Sequence, residues 1–160
     1  MDPLSVIASV FGLLTAANKV SSMLFAIISS TKDAPQFVSH IISEVKEVEI
    51  SLFAIYRLLQ GISSAPRRRI ALIQLDQLIA TLTEAVLTFS ELEALVTPIA
   101  KQSKVSTTER LKWVLKEDTV SNIVQRLQRH KSSLSLMLNI VQWLVFHANF
   151  GTTGKAEKTF

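Results

Sequence analysis

The segment Leu4–Ser30, LSVIASVFGLLTAANKVSSMLFAIISS, constrains this chain more than any other. It carries a single charged residue, Lys19, in 27 positions. Its small and polar residues fall at Ser5, Ser9, Gly12, Thr15, Lys19, Ser22, Ala26 and Ser29. Those gaps are all three or four residues, which is the helical period. The rest of the circumference is mostly Leu, Val, Ile, Phe and Met. The pattern predicts a helix with a narrow small-residue stripe and a wide apolar face. At a rise of about 1.5 Å per residue it is about 40 Å long, enough to cross a bilayer. Two environments suit such a helix: the centre of a helical bundle, or a membrane.

Composition narrows the frame around this segment. A chain of 160 residues suits one domain with one core. With 48% hydrophobic residues, 4 Gly and 4 Pro, turns are scarce, which favours long helices over a many-stranded sheet. Cysteine is absent, so disulfide and thiolate chemistry are excluded. The start, MDPLSV, has no basic stretch before its apolar run, so no cleaved secretory signal is expected. Asp2 stands where N-myristoylation requires glycine. A cytoplasmic protein is expected.

Further helices follow from the same period. Asp2 and Pro3 suit the cap and first position of the first helix, which should end near Ser29 to Lys32. Asp33 and Pro35 repeat that signal. A second helix is expected over 34–60, with Phe37, Ile41, Val45, Val48, Leu52, Ile55 and Leu59 inward and Glu44, Lys46, Glu47 and Glu49 outward. A third is expected over 66–96, with Leu72, Leu75, Ile79, Leu82, Val86, Phe89 and Leu92 inward and Pro98 closing it. Its start, Arg67, Arg68 and Arg69, opposes the helix dipole and reads either as solvated or as a contact for lipid or an acidic partner. A short helix is expected over 108–116. The last, over 119–146, turns Val120, Ile123, Val124, Leu127, Leu134, Leu138 and Val141 inward. The expected fold is all-α, an antiparallel bundle of four long helices plus one short helix. The domain is expected over 1–148 and a disordered tail over 149–160.

Chemistry-bearing patterns are missing. His40, His130 and His147 have no partner at metal-ligand spacing and read as surface or helix-end residues. No phosphate loop and no Ser–His–acid set can be nominated. Trp113 and Trp143 read as core or interface residues. No catalytic residue, cofactor or metal is expected, and the enzyme reading falls away. The net charge is +4, and residues 101–131 hold eight Lys/Arg against three Asp/Glu. Basic charge is all that speaks for nucleic acid, which ranks last among partners.

Five strings carry a resemblance: MDPLSVIASVFGLLTAANKVSSML, TKDAP, VLTFSELEAL, RLKWVLKED and IVQRLQRHKSSLSLMLNIVQ. Together they resemble the fungal N-terminal domain that precedes NACHT or ankyrin modules in STAND-type receptors, the azaphilone pigment cluster protein L N-terminal type, similar to the HeLo-like group. The resemblance covers about residues 1–143. After Ile140, Val141 and Gln142 the family continues with polar residues, whereas Trp143, Leu144, Val145 and Phe146 are apolar here.

The resemblance implies a helical effector or signalling module that self-associates on activation and targets the plasma membrane in regulated cell death or non-self recognition. The alternative is a helical interaction or regulatory module without membrane activity. On the first reading, the candidates for insertion and oligomerisation are Leu4, Val6, Ile7, Phe11, Gly12, Leu14, Leu24 and Ile28. The candidates for anionic lipid are Arg67, Arg68, Arg69, Lys112 and Lys116.

Overall fold

The computed structural model describes residues 3–30, 36–62, 75–101 and 117–153. These form four helices: α1 (Pro3–Ser30), α2 (Gln36–Ile62), α3 (Leu75–Ala100) and α4 (Glu117–Thr153). No strand occurs among the described residues. The expected short helix over 108–116 lies outside them, as do Arg67, Arg68, Arg69, Lys112, Lys116 and Trp113.

The core explains the helices. On α1 the buried apolar residues are Val6, Val10, Leu13, Ala17, Val20, Leu24 and Ile27. On α2 they include Val38, Ile41, Val45, Val48, Leu52, Ile55 and Leu59. On α3 they are Leu78, Leu82, Ala85, Phe89, Leu92, Val96 and Ile99. Each series alternates steps of three and four, the spacing of coiled-coil seams. α4 follows the same rhythm through Val120, Ile123, Leu127, His130, Leu134 and Val141. Burying each large apolar side chain contributes about 1.5–3 kcal/mol, so these ridges dominate stability.

Each helix packs against two others: α1 on α2 and α3, and α4 on α2 and α3. Lys19 meets Glu93 and Met23 meets Thr97, so α1 and α3 run the same way. Thr88 meets His130 and Glu91 meets Arg126, so α3 and α4 run in opposite directions. Five residues separate α1 from α2, too few to return along a helix of about 40 Å, so these two are antiparallel. Direction therefore alternates along the chain, while α1 with α3 and α2 with α4 are parallel neighbours.

Several expectations are corrected. Val86 is 46% exposed, and Ala85 takes the inward position. Steps of three and four are equally helical, so spacing alone admits either residue. Glu44 is buried rather than outward. His130 is buried rather than at the surface. Pro98 sits inside the last turn of α3, which runs on to Ala100. In this last turn proline lacks the N–H that would bond the Ala94 carbonyl, so the helix forgoes that bond and ends two residues on. α4 continues past its expected end at Phe146 to Thr153.

Candidate functional site

α1 lies at the edge of the bundle, not at its centre. The whole small-residue stripe, Ser5, Ser9, Gly12, Thr15, Lys19, Ser22, Ala26 and Ser29, is exposed. Four of its hydroxyls are satisfied by their own helix. Ser9 donates to the Ser5 carbonyl at 2.9 Å, Thr15 to Phe11 at 3.0 Å, Ser22 to Asn18 at 2.9 Å and Ser29 to Phe25 at 2.9 Å. Such back-bonding removes the need for water at these groups. The one charge on α1, Lys19, bonds Glu93 Oε1 of α3 at 2.5 Å.

The expected insertion residues divide by exposure. Leu4 and Phe11 are 65% and 57% exposed, and Gly12 is exposed with no atom within 4 Å of an added Cβ. Ile7, Leu14 and Ile28 are half-buried against the core, and Val6 and Leu24 lie inside it. Phe11 tilts against Tyr56 of α2 with ring centroids 5.9 Å apart. Phe53 and Ile50 of α2 are also exposed. Leu4, Phe11 and Phe25 repeat every seven residues or a multiple of it, so they share one line along α1. By length and composition α1 is the one described helix fit to cross a membrane, and a third of its most apolar window is buried.

Two polar sites were missed by sequence reasoning. Glu44 of α2 accepts from Gln128 Nε2 at 3.0 Å and Lys131 Nζ at 3.1 Å, and Lys131 also reaches Glu47 at 2.7 Å. His40 Nε2 stands 3.5 Å from Glu44. Burial pushes the Glu44 carboxyl up, but the Gln128 and Lys131 bonds, helped by the charges of Lys131 and His40, bring it below its ordinary 4.5. The second site is His130, bonded to Thr88 across α3 and α4 at 2.8 Å. The rhythm of α4 was the available signal, because His130 falls midway between Leu127 and Leu134.

No group of three or more His, Asp or Glu fit to hold a metal occurs among the described residues. An open groove of ≈ 460 Å³ is lined by Ser90, Glu93, Ala94, Thr97 and Pro98. Its carboxylate is taken by Lys19, and Thr97 donates to the Glu93 carbonyl at 2.7 Å, so it holds no nucleophile beside a base. Compared with protein-family models, curated proteins and solved structures, the chain matches none.

Proposed function

We propose that this chain is a non-enzymatic helical effector module that acts on membranes through α1, in the manner of fungal N-terminal domains of STAND-type receptors in regulated cell death or non-self recognition. The observation that carries the reading is α1 itself: a predominantly apolar segment of 27 residues with one charge, four of its outer hydroxyls bonded within the helix, lying at the edge of the bundle. In the resting cytoplasmic state α1 stays packed. A charge at mid-membrane costs about 2.5–3.5 kcal/mol on insertion scales, and Lys19 has Glu93 for a partner in the bundle. On activation the module self-associates at the plasma membrane. Arg67, Arg68, Arg69, Lys112 and Lys116 hold anionic lipid at about 1 kcal/mol each, and α1 leaves the bundle. The exposed stripe through Gly12 lets inserted helices approach closely. In this reading the full fold is an up-and-down bundle of four long helices with a short fifth over 108–116. No cofactor takes part.

A second reading, a helical interaction module without membrane activity, draws on the exposed apolar line of Leu4, Phe11 and Phe25 along α1, with Phe11 beside Tyr56 of α2. Such a line suits an apolar helix of a partner protein.

Dye release from anionic vesicles separates the two. The chain has no Cys, so Lys19→Cys with Glu93→Cys admits a reducible bifunctional maleimide that ties α1 to α3. Untied protein at concentrations that drive self-association should release dye, the tied form should not, and reduction should restore release. Gly12→Leu should still bind vesicles but release less. Equal release from tied and untied protein, or none from either, rejects the membrane reading in favour of the interaction module.

A further inference from the structure

The seam between α3 and α4 holds the only buried imidazole among the described residues. His130 is 3% exposed and occupies an inward position of α4. Its Nε2 lies 2.8 Å from Thr88 Oγ1. The Thr88 hydroxyl also donates to the Glu84 carbonyl at 3.0 Å. A hydroxyl carries one proton. With that proton given to Glu84, Thr88 Oγ1 accepts from Nε2–H, and the neutral ring satisfies the pair.

The surroundings oppose a second proton. Arg126 and Arg129 of α4 act on the ring as like charges, and Glu84 of α3 is the carboxylate that acts against them. Glu91 of α3 is engaged with Arg126. On α2, Glu44 and Glu47 are engaged with Lys131, and on α1 Lys19 is engaged with Glu93. A charged imidazole here is a cation in the core beside two arginines. The α3–α4 contact is also the least extensive of the four helix contacts among the described residues.

We propose that the Thr88–His130 pair is an acid-operated opening point, at which protonation of the ring parts α3 from α4. Burial depresses the imidazole below its ordinary 6.5; Glu84 works against this, and Arg126 and Arg129 add to it. The opened chain therefore takes up the proton first. The closed seam loses stability as pH falls below 6.5, until the native ring is itself protonated. Each unit of depression is about tenfold in the opening equilibrium. Glu44 acts in a separate window, below 4.5. The opening does not depend on what the opened bundle meets, so it stands apart from the membrane reading.

Hydrogen exchange on the full chain at pH 7.5 and 5.5, corrected for intrinsic rates, tests it. Buried amides of α3 and α4 around Thr88 and His130 should open more at the lower pH, by up to about tenfold, with a smaller change at the α1–α2 seam. His130→Gln should abolish the difference between the two pH values. Equal opening of the native chain at both, or a gain that persists in His130→Gln, overturns the proposal. An NMR titration of the native imidazoles needs no variant. His130 should titrate below the ordinary 6.5, and a His130 midpoint at or above that value also overturns it.

Discussion

Ser21 shows how finely the core is tuned at single positions. It is 1% exposed, and its hydroxyl has no hydrogen-bond partner among the described residues. An unmet buried hydroxyl costs about 1–3 kcal/mol, so Ser21→Ala should raise the melting temperature measured by circular dichroism. The opposite sign is expected at Leu82 and Leu127, which are 3% and 0% exposed. An unpaired carboxylate at either place costs several kcal/mol against a total of about 5–15 kcal/mol, so Leu82→Asp and Leu127→Asp should unfold the chain. Cooperative melting at the native temperature in either variant would contradict its burial. Glu44 makes a pH-dependent contribution. Its native carboxyl titrates below 4.5, so its stabilisation is present above that value and is lost as pH falls through the native pKa. Melting followed from pH 6 to pH 3 should fall more steeply in the native chain than in Glu44→Gln.

Among the elements, α1 carries two surfaces with opposite demands. Its inner ridge is sealed, while its outer stripe is exposed, with open space over Gly12 and Lys19 reaching Glu93 of α3. Gly12 therefore has room for a side chain and weakens the helix only through backbone entropy. Gly12→Ala should stabilise by about 0.8–1 kcal/mol, read as a higher melting temperature. Replacing Leu4, Phe11 and Phe25 together with Ser should cost within about 0.5 kcal/mol at exposed Leu4 and Phe25, and about 0.5–1.5 kcal/mol at Phe11, which gives up its ring contact with Tyr56. If the membrane reading holds, the same triple variant should lose vesicle binding, and a folded variant that binds vesicles as the native chain does would contradict that role. α4 answers to two neighbours at once: Lys131 reaches α2, and Arg126 and His130 reach α3.

At the scale of the molecule, the ring of four helices makes the core a shared property. α1 supplies seven buried apolar residues to it, Val6 through Ile27. Deleting residues 1–30 should strip the facing ridges of α2 and α3 and abolish cooperative unfolding in calorimetry. A truncated chain that kept a sharp transition would show that the other three helices form a core alone. The same fact governs any release of α1 to a membrane. The bundle must give up one side of its core, so the driving free energy has to come from lipid contact and self-association together.

Helical content, the number of long helices described and the inward ridge of α2 were all legible in the residues, because the three–four spacing of apolar side chains is a local property of the helix. The small-residue stripe of α1 was legible for the same reason, whereas its exposure was decided by the packing that leaves α1 at the edge of the bundle. The phase of α3 was not, since Val86 and Ala85 both satisfy that spacing and only the approach of α1 and α4 selects between them. The burial of Glu44 and His130 was not legible either. A polar residue at an inward position looks solvent-facing until another helix brings its partner, as Gln128 and Lys131 do for Glu44 and Thr88 does for His130. Local periodicity decides that a segment is helical and roughly which arc is apolar. Which polar groups lie inside that arc depends on contacts 42 to 87 residues apart in the chain, and only the packed structure brings them together.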